Sequence, residues 1–243
     1  MSIINSKAQV KQLLAPALAA LQQGKDKACI ALLHENILQQ KIRFPQLEFA
    51  ARELYAHVPQ LQLFAFMDKI IELRTVGGNV LAGIMLQQYL TVDPHAAVAR
   101  ACNYIIHGDE WYVCDIIGER VMGHFLLTQP EAALPVMQQL AQHENKWIVR
   151  TVGVATHYAT KKGLKKQYAH QMFRLLLTLS NTTDFHTKKG IGWAAKTIAK
   201  FHPDIIAAHR GQLDTDASIR QWFKTKINIG LGRSFKYAHR YTG

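Results

Sequence analysis

The chain has little of what several common protein classes require. Its cysteines, Cys29, Cys102 and Cys114, are three in 243 residues, widely spaced among apolar neighbours, with no C-x-x-C pattern and no histidine at ligand spacing. That excludes a disulfide framework and the familiar zinc modules, and it predicts three small core residues. No apolar run approaches the roughly 18 residues of a membrane span. The start, MSIINSKAQVKQ, lacks a charged-then-apolar leader, so the expectation is a soluble, cytoplasmic protein. Twelve histidines form no recognisable metal pattern, and no stretch alternates convincingly as a strand. Acidic residues thin out along the chain. Residues 1–122 hold eleven Lys plus Arg against eleven Asp plus Glu, whereas residues 123–243 hold eighteen against six. The net charge of +12 therefore belongs to the second half. A solvated basic surface has this composition, and so does a protein that sits on a polyanion, most often nucleic acid.

What is present is helical pattern. Segments with apolar positions at three-and-four spacing follow one another, broken at Gly24, Pro45, Pro59, Gly77-Gly78, Asp93-Pro94, Gly108, Pro130, Gly163, Asn181 and Pro203. This predicts about a dozen helices joined by short turns. GDEWYVCDIIGERVMGHFLL and ENKWIVRTVGVATHYATKKG both open with a polar pair and a tryptophan, Trp111 and Trp147, which stand 36 residues apart. Spacing of that size with two helices per unit matches HEAT or armadillo repeats, in which each helix pair buries its apolar face only by stacking on its neighbours. The expectation is an all-α curved superhelical stack of antiparallel helix pairs, one domain over residues 1–243. The basic tail at about 230–243 reads as either a flexible arm or an ordered cap.

Two stretches carry chemistry. In DEWYVCDIIGER, at about 100° per residue, Trp111, Asp115, Gly118 and Met122 fall within about 60° of one another. A carboxylate thus shares a face with an indole. Gly118 costs a helix about 1 kcal/mol, as a site needing room beside Asp115 would require. A surface aspartate beside a half-buried tryptophan has the same pattern. In HTKKGIGWAAKTIAKFHPD the same arithmetic places Lys189, Trp193, Lys196 and Lys200 on one face, with Gly190 and Gly192 close by. Lysines flanking an aromatic suit a phosphate backbone, although a lysine stripe is also what a solvated face looks like. Arg150, at the end of ENKWIVR, lies one helix pair along from Asp115.

Taken together, W-x-x-x-D at Trp111 and Asp115, the following ERVMGH, NKWIVR ending in Arg150, and KKGIGW ending in Trp193 before HPD resemble the AlkD-type DNA alkylation repair glycosylases. The resemblance is strongest from about residue 105 to 205. Towards the N-terminus, IRFPQLEFAAREL is similar to an early Pro-containing helix of that family but lacks the glycine expected before it. The resemblance implies an all-helical, HEAT-like fold and excision of alkylated purines from double-stranded DNA, with the lesion still in the duplex. It also implies Asp115 as the catalytic carboxylate, Trp111 and Trp193 as aromatic walls beside the lesion, and Arg150 as a DNA-backbone contact. No cofactor, metal or membrane is implied, and the expected state is a monomer.

The residue types suit that chemistry. A purine alkylated at N3 or N7 is already cationic, so its glycosidic bond breaks to a neutral base and an oxocarbenium-like sugar, which a fixed carboxylate stabilises. Indole faces attract cations at about 0.5–2 kcal/mol per contact. No general acid is placed by the motifs; His143, His157 and His186 are the candidates by position. Two other readings compete: a non-catalytic HEAT-repeat protein on branched or distorted DNA, and a scaffold for an acidic protein partner.

Overall fold

A computed structural model of the chain describes residues 3–240, with side chains through 237. Among the described residues the structure is helical, and the only extended pairing is an isolated bridge between Ile4 and Ile42. Among the described residues no helix is long and apolar enough to cross a membrane. The chain divides into two compact units, one ending at Gly108 and the other beginning at Asp109.

The first unit contains α1 (Lys7–Gln22), α2 (Asp26–Leu33), α3 (Phe44–His57), α4 (Leu63–Glu72), α5 (Val76–Tyr89) and α6 (Pro94–Gly108). Ser6 caps α1 by accepting the Gln9 N–H, and Thr75 caps α5 by accepting the Gly78 N–H. The break expected at Gly77-Gly78 therefore falls just before the glycines, which occupy the first turn of α5. That helix is buried without interruption from Gly78 to Gln87, as an all-round apolar helix must be. Asp68 of α4 ties to α6 by accepting from Arg100 and from the Tyr104 hydroxyl.

The second unit runs α7 (Trp111–Gly118), a π turn (Glu119–Gly123), α8 (His124–Thr128), α9 (Pro130–Ala141), α10 (Lys146–Lys162), α11 (Lys166–Thr178), α12 (Phe185–Phe201), α13 (Pro203–Ala208), α14 (Arg210–Thr215) and α15 (Gln221–Leu231). A 3₁₀ turn, Ser234–Arg240, follows. Proline opens α9 and α13, where a missing N–H costs nothing. Gly163 ends α10 in the left-handed region at φ 104°, and the Leu164 N–H returns to the Ala159 carbonyl at 2.9 Å. Phe125, Phe173 and Phe223 are fully buried, each contributing about 1.5–3 kcal/mol relative to exposure.

Within this unit α7 packs on α10, α10 on α12, and α12 on α15. A Cβ on Gly153 would lie 2.3 Å from the Gly190 carbonyl, and one on Gly230 would lie 2.3 Å from that of Lys196. Only glycine permits such backbone contact. The capping residues of these helices, Glu110, Asn145, Asp184 and Arg220, recur at about the 35–40-residue period of a repeat. The repeat is thus real but one residue out of the register suggested by the tryptophans. Trp111 is the first residue of its helix and Trp147 the second of its own, so Trp111 is 53% exposed and Trp147 only 3%. The structural counterpart of Trp147 is Tyr112.

Candidate active site

The starts of α7, α10 and α12 lie side by side. Asp109, just before α7, adopts φ 46° and accepts the Trp147 indole N–H at 2.6 Å. An aspartate tolerates that left-handed conformation better than most residues. The Cys114 thiol meets the Trp147 carbonyl and the Thr151 hydroxyl in the seam between α7 and α10. Burial pushes that thiol up to about 12, so Cys114 is a packed neutral donor rather than a nucleophile. Thr187 of α12 in turn donates to the Lys146 carbonyl at the start of α10.

One turn into α7, Asp115 meets Arg150. The arginine Nε donates to Oδ1 at 2.9 Å and Nη2 to Oδ2 at 2.8 Å, a two-pronged, charge-assisted pair. Nη1 donates to the His186 carbonyl at 2.9 Å, linking α12 to the same point. The His186 ring packs on Trp147. The arginine side chain is 8% exposed and the aspartate 18%. Asp115 is therefore held rigidly yet remains reachable, with the open indole of Trp111 one turn before it.

Gly118 and Met122 do not belong to this opening. A Cβ on Gly118 would meet Thr151 Cγ2 at 3.1 Å and Val154 Cγ1 at 3.3 Å, so the glycine serves the close approach of α7 to α10. Met122 is fully buried. The π turn at Glu119–Gly123 adds a residue to the helical turn, which rotates everything after it away from the phase of Trp111 and Asp115.

Trp193 lies half-buried on α12 and stacks on His157 of α10, with ring centroids 3.7 Å apart. The Thr197 hydroxyl donates to the Trp193 carbonyl at 2.9 Å, so it accepts from His157 Nδ1 at 2.7 Å, which fixes the tautomer. Burial, reinforced by Lys161, Lys196 and Lys200, pushes His157 down to about 3. The ring is neutral at any physiological pH. His157 stands seven residues beyond Arg150, two turns and about 10 Å along the same face of α10. The Asp115–Arg150 pair and the Trp193 stack thus occupy successive levels of one helix.

The lysine face of α12 is present: Lys189, Trp193, Lys196 and Lys200 are all at least partly exposed, while most of the helix is buried. The three lysines differ in setting. Lys189 Nζ lies 5.1 Å from the ring centroid of Phe185, which is itself well exposed. Lys196 is held below the usual range by burial and then by Lys226, Arg233 and Lys200. Lys200 lies against the rings of Phe201 and Tyr237. Among the described residues no group of three or more His, Cys, Asp or Glu is arranged for a metal.

The model of the family described as DNA alkylation repair enzyme matches residues 18–209. The chain belongs to that family. No curated protein and no solved structure matches it. Membership in the DNA alkylation repair enzyme family makes the chain an enzyme of alkylated-DNA repair, and every site residue above from Trp111 to Lys200 lies within the matched span. Sequence reasoning missed the roles of Asp109, Cys114 and Thr151 in aligning the helix starts, and of His157 beneath Trp193. Only His157 left a signal, its seven-residue interval from Arg150, which puts both on one helical face.

Proposed function

We propose that the chain is a DNA glycosylase that releases cationic alkylated purines, of the N3-methyladenine and N7-methylguanine type, from double-stranded DNA in base excision repair. The observation that carries this reading is the Asp115 carboxylate, immobilised by Arg150 through both oxygens yet open to solvent beside the exposed Trp111. In the reaction the N9–C1′ bond breaks with its electron pair going to the purine, which cancels the positive charge of the base. The cation passes to the sugar as an oxocarbenium ion, which Asp115 stabilises. Water adds to C1′ and loses its proton to the carboxylate or to solvent. Each aspartate oxygen has a lone pair outside the arginine fork for the sugar or the water. Because the geometry is preset, little reorganisation accompanies the charge shift.

Trp111 and Trp193 serve as apolar walls at two levels of the face, with attraction for a cationic base. Lys189, Lys196 and Lys200 neutralise phosphates, and the remaining protons on Arg150 Nη1 and Nη2 are available to one more. The neutral His157 supplies no proton. A neutral lesion such as hypoxanthine would need general acid catalysis, typically about 10²- to 10⁴-fold, which this arrangement does not offer. Incubation of methylated duplex with the protein is expected to release N3-methyladenine and N7-methylguanine, identified by mass spectrometry, at a rate flat over about pH 5.5 to 8.5, with hypoxanthine untouched. Release of hypoxanthine at a comparable rate, or a rate that falls with rising pH near a histidine pKa of about 6.5, would overturn the mechanism.

One observation favours a second reading. A carboxylate with both oxygens on one arginine is also a cross-link between α7 and α10, which a protein that binds distorted DNA without releasing a base would equally use. DNA binding with no base released would establish that reading.

A further inference from the structure

We infer that Asp109 is a positioning residue for the reaction: it holds the buried indole of Trp147, which supports His186, whose carbonyl steadies the arginine fork on Asp115. The inference rests on the reading above in which Asp115 is the catalytic carboxylate. Such a group works only while it is held within about 0.5 Å of its productive place. Arg150 holds Asp115 there, so whatever holds Arg150 bears on the reaction.

Helices that open side by side bring equal positions together. Asp115 and Arg150 are each the fifth residue of their helices, and they pair; Trp147 and His186 are each the second, and their ring centroids lie 4.4 Å apart. From His186 the support passes to the fork, because its carbonyl accepts from Arg150 Nη1 at 2.9 Å. The Trp147 backbone is fixed on its own account: Asn145 Oδ1 accepts its N–H at 2.9 Å, and its carbonyl accepts from Cys114 and Thr151. What remains to be set is the tilt of the indole. Lys146 lies over the ring, with Nζ 4.9 Å from the centroid, and the indole N–H is directed at Asp109 Oδ1 at 2.6 Å.

Asp109 makes that contact from a backbone turned to φ 46° just before the Glu110 cap. A water could satisfy the same indole N–H, but water holds a ring in no one place. Asp109 and Asp115 together attach α7 to α10 at two points, one ahead of its first turn and one in its second. One contact leaves a helix free to pivot, whereas two fix its angle.

The test uses the full-length chain, single-turnover release of N7-methylguanine from a methylated duplex at saturating protein, and proton exchange at the Arg150 Nε–H of the free protein, followed by NMR. Asp109→Gly keeps the left-handed turn and removes the acceptor. Release should slow about tenfold, less than the roughly 10²-fold that a displacement of about 1 Å can cost, with duplex affinity within about twofold of wild type. Exchange at Arg150 should quicken about tenfold. Asp109→Asn, which offers an oxygen at the same reach and tolerates the same backbone, should restore both. Trp147→Phe keeps a ring without its N–H; it should slow release about as much as Asp109→Gly, and the two together should slow it no further. Release from Asp109→Asn as slow as from Asp109→Gly would make Asp109 a reacting charge rather than a support. A lowered urea midpoint with release and exchange unchanged would make it a structural contact alone. Either result overturns the inference, as do rate losses that multiply in the double variant. A wild-type protein that releases no base would sink the glycosylase reading, while exchange at Arg150 still decides whether Asp109 holds the fork.

Discussion

Each unit contains an aspartate held by an arginine from a later helix, and the two pairs differ in ways that separate scaffold from site. In the first unit Arg100 reaches both oxygens of Asp68 through the single nitrogen Nη1, and the Tyr104 hydroxyl adds a bond at 2.7 Å. Both charged side chains there are about a third exposed, and burial with the bond to Asp68 raises the tyrosine well above its usual range. In the second unit Arg150 uses two nitrogens in a planar fork and is nearly buried, while Asp115 keeps a window to solvent. Arg100 also lies on the ring of Phe64, whereas the ring near Asp115 is that of Trp111, which stands open to solvent. The first pair joins helices at a wet surface. The second presents a carboxylate at the edge of a dry seam.

The sharpest way to break this contrast is to neutralise each aspartate. Asp115→Asn is expected to slow base release by about 10²- to 10³-fold, comparable to the loss of a preorganised electrostatic contact, while Asp68→Asn leaves the rate unchanged; single-turnover release measures both. Next comes removal of each arginine, followed by urea unfolding. Arg150→Ala should cost about 3 kcal/mol, the low end for removing one partner of a buried pair because Asp115 retains some water. Arg100→Ala should cost less than about 1 kcal/mol. Replacing Lys189, Lys196 and Lys200 together by alanine should flatten the salt dependence of duplex binding by about three counterion units; the same number of exposed lysines exchanged in the first unit should leave it unchanged. The smallest effect concerns acid. Since His157 is held down to about 3, the unfolded chain takes up a proton below about pH 6.5 that the folded chain refuses. Stability contributed above that pH is therefore lost as the pH falls from about 6.5 towards 3. His157→Phe, which keeps the stack on Trp193, should reduce that loss, seen as a smaller shift of the urea midpoint between neutral and mildly acidic buffer.

Much of this was legible in the sequence. The breaks at Asp93-Pro94, Pro130, Gly163 and Pro203 mark helix ends because proline and glycine act through local backbone sterics that need no partner. The exposed face of α12 followed from helical geometry for the same reason. The shared face of Trp111 and Asp115 also held, since both precede the π turn. Beyond it the phase was lost, because a π turn is set by packing and leaves no periodic trace. The room that Gly118 leaves is filled by α10 rather than kept beside the carboxylate. The repeat register slipped by one residue because two tryptophans look alike in sequence, although one is a core residue tied to Asp109 and the other is open. That Arg150 would close on Asp115, rather than stand apart on the same patch, depended on the rotation of α10 relative to α7, which no local pattern specifies.

The contact between Gly153 and Gly190 lies on α10 midway between the level of Arg150 and that of His157. It works as a fulcrum. Packed helices ordinarily stand about 8–10 Å apart, with side chains as spacers that can change rotamer; here backbone meets backbone and no such spacer exists. The separation of α10 from α12 is therefore a fixed dimension of the site rather than an adjustable one. A single methyl group at either glycine would act as a wedge, prising the His186 carbonyl from Arg150 at one end and Trp193 from His157 at the other, so that the carboxylate and the aromatic wall would lose their alignment in one movement.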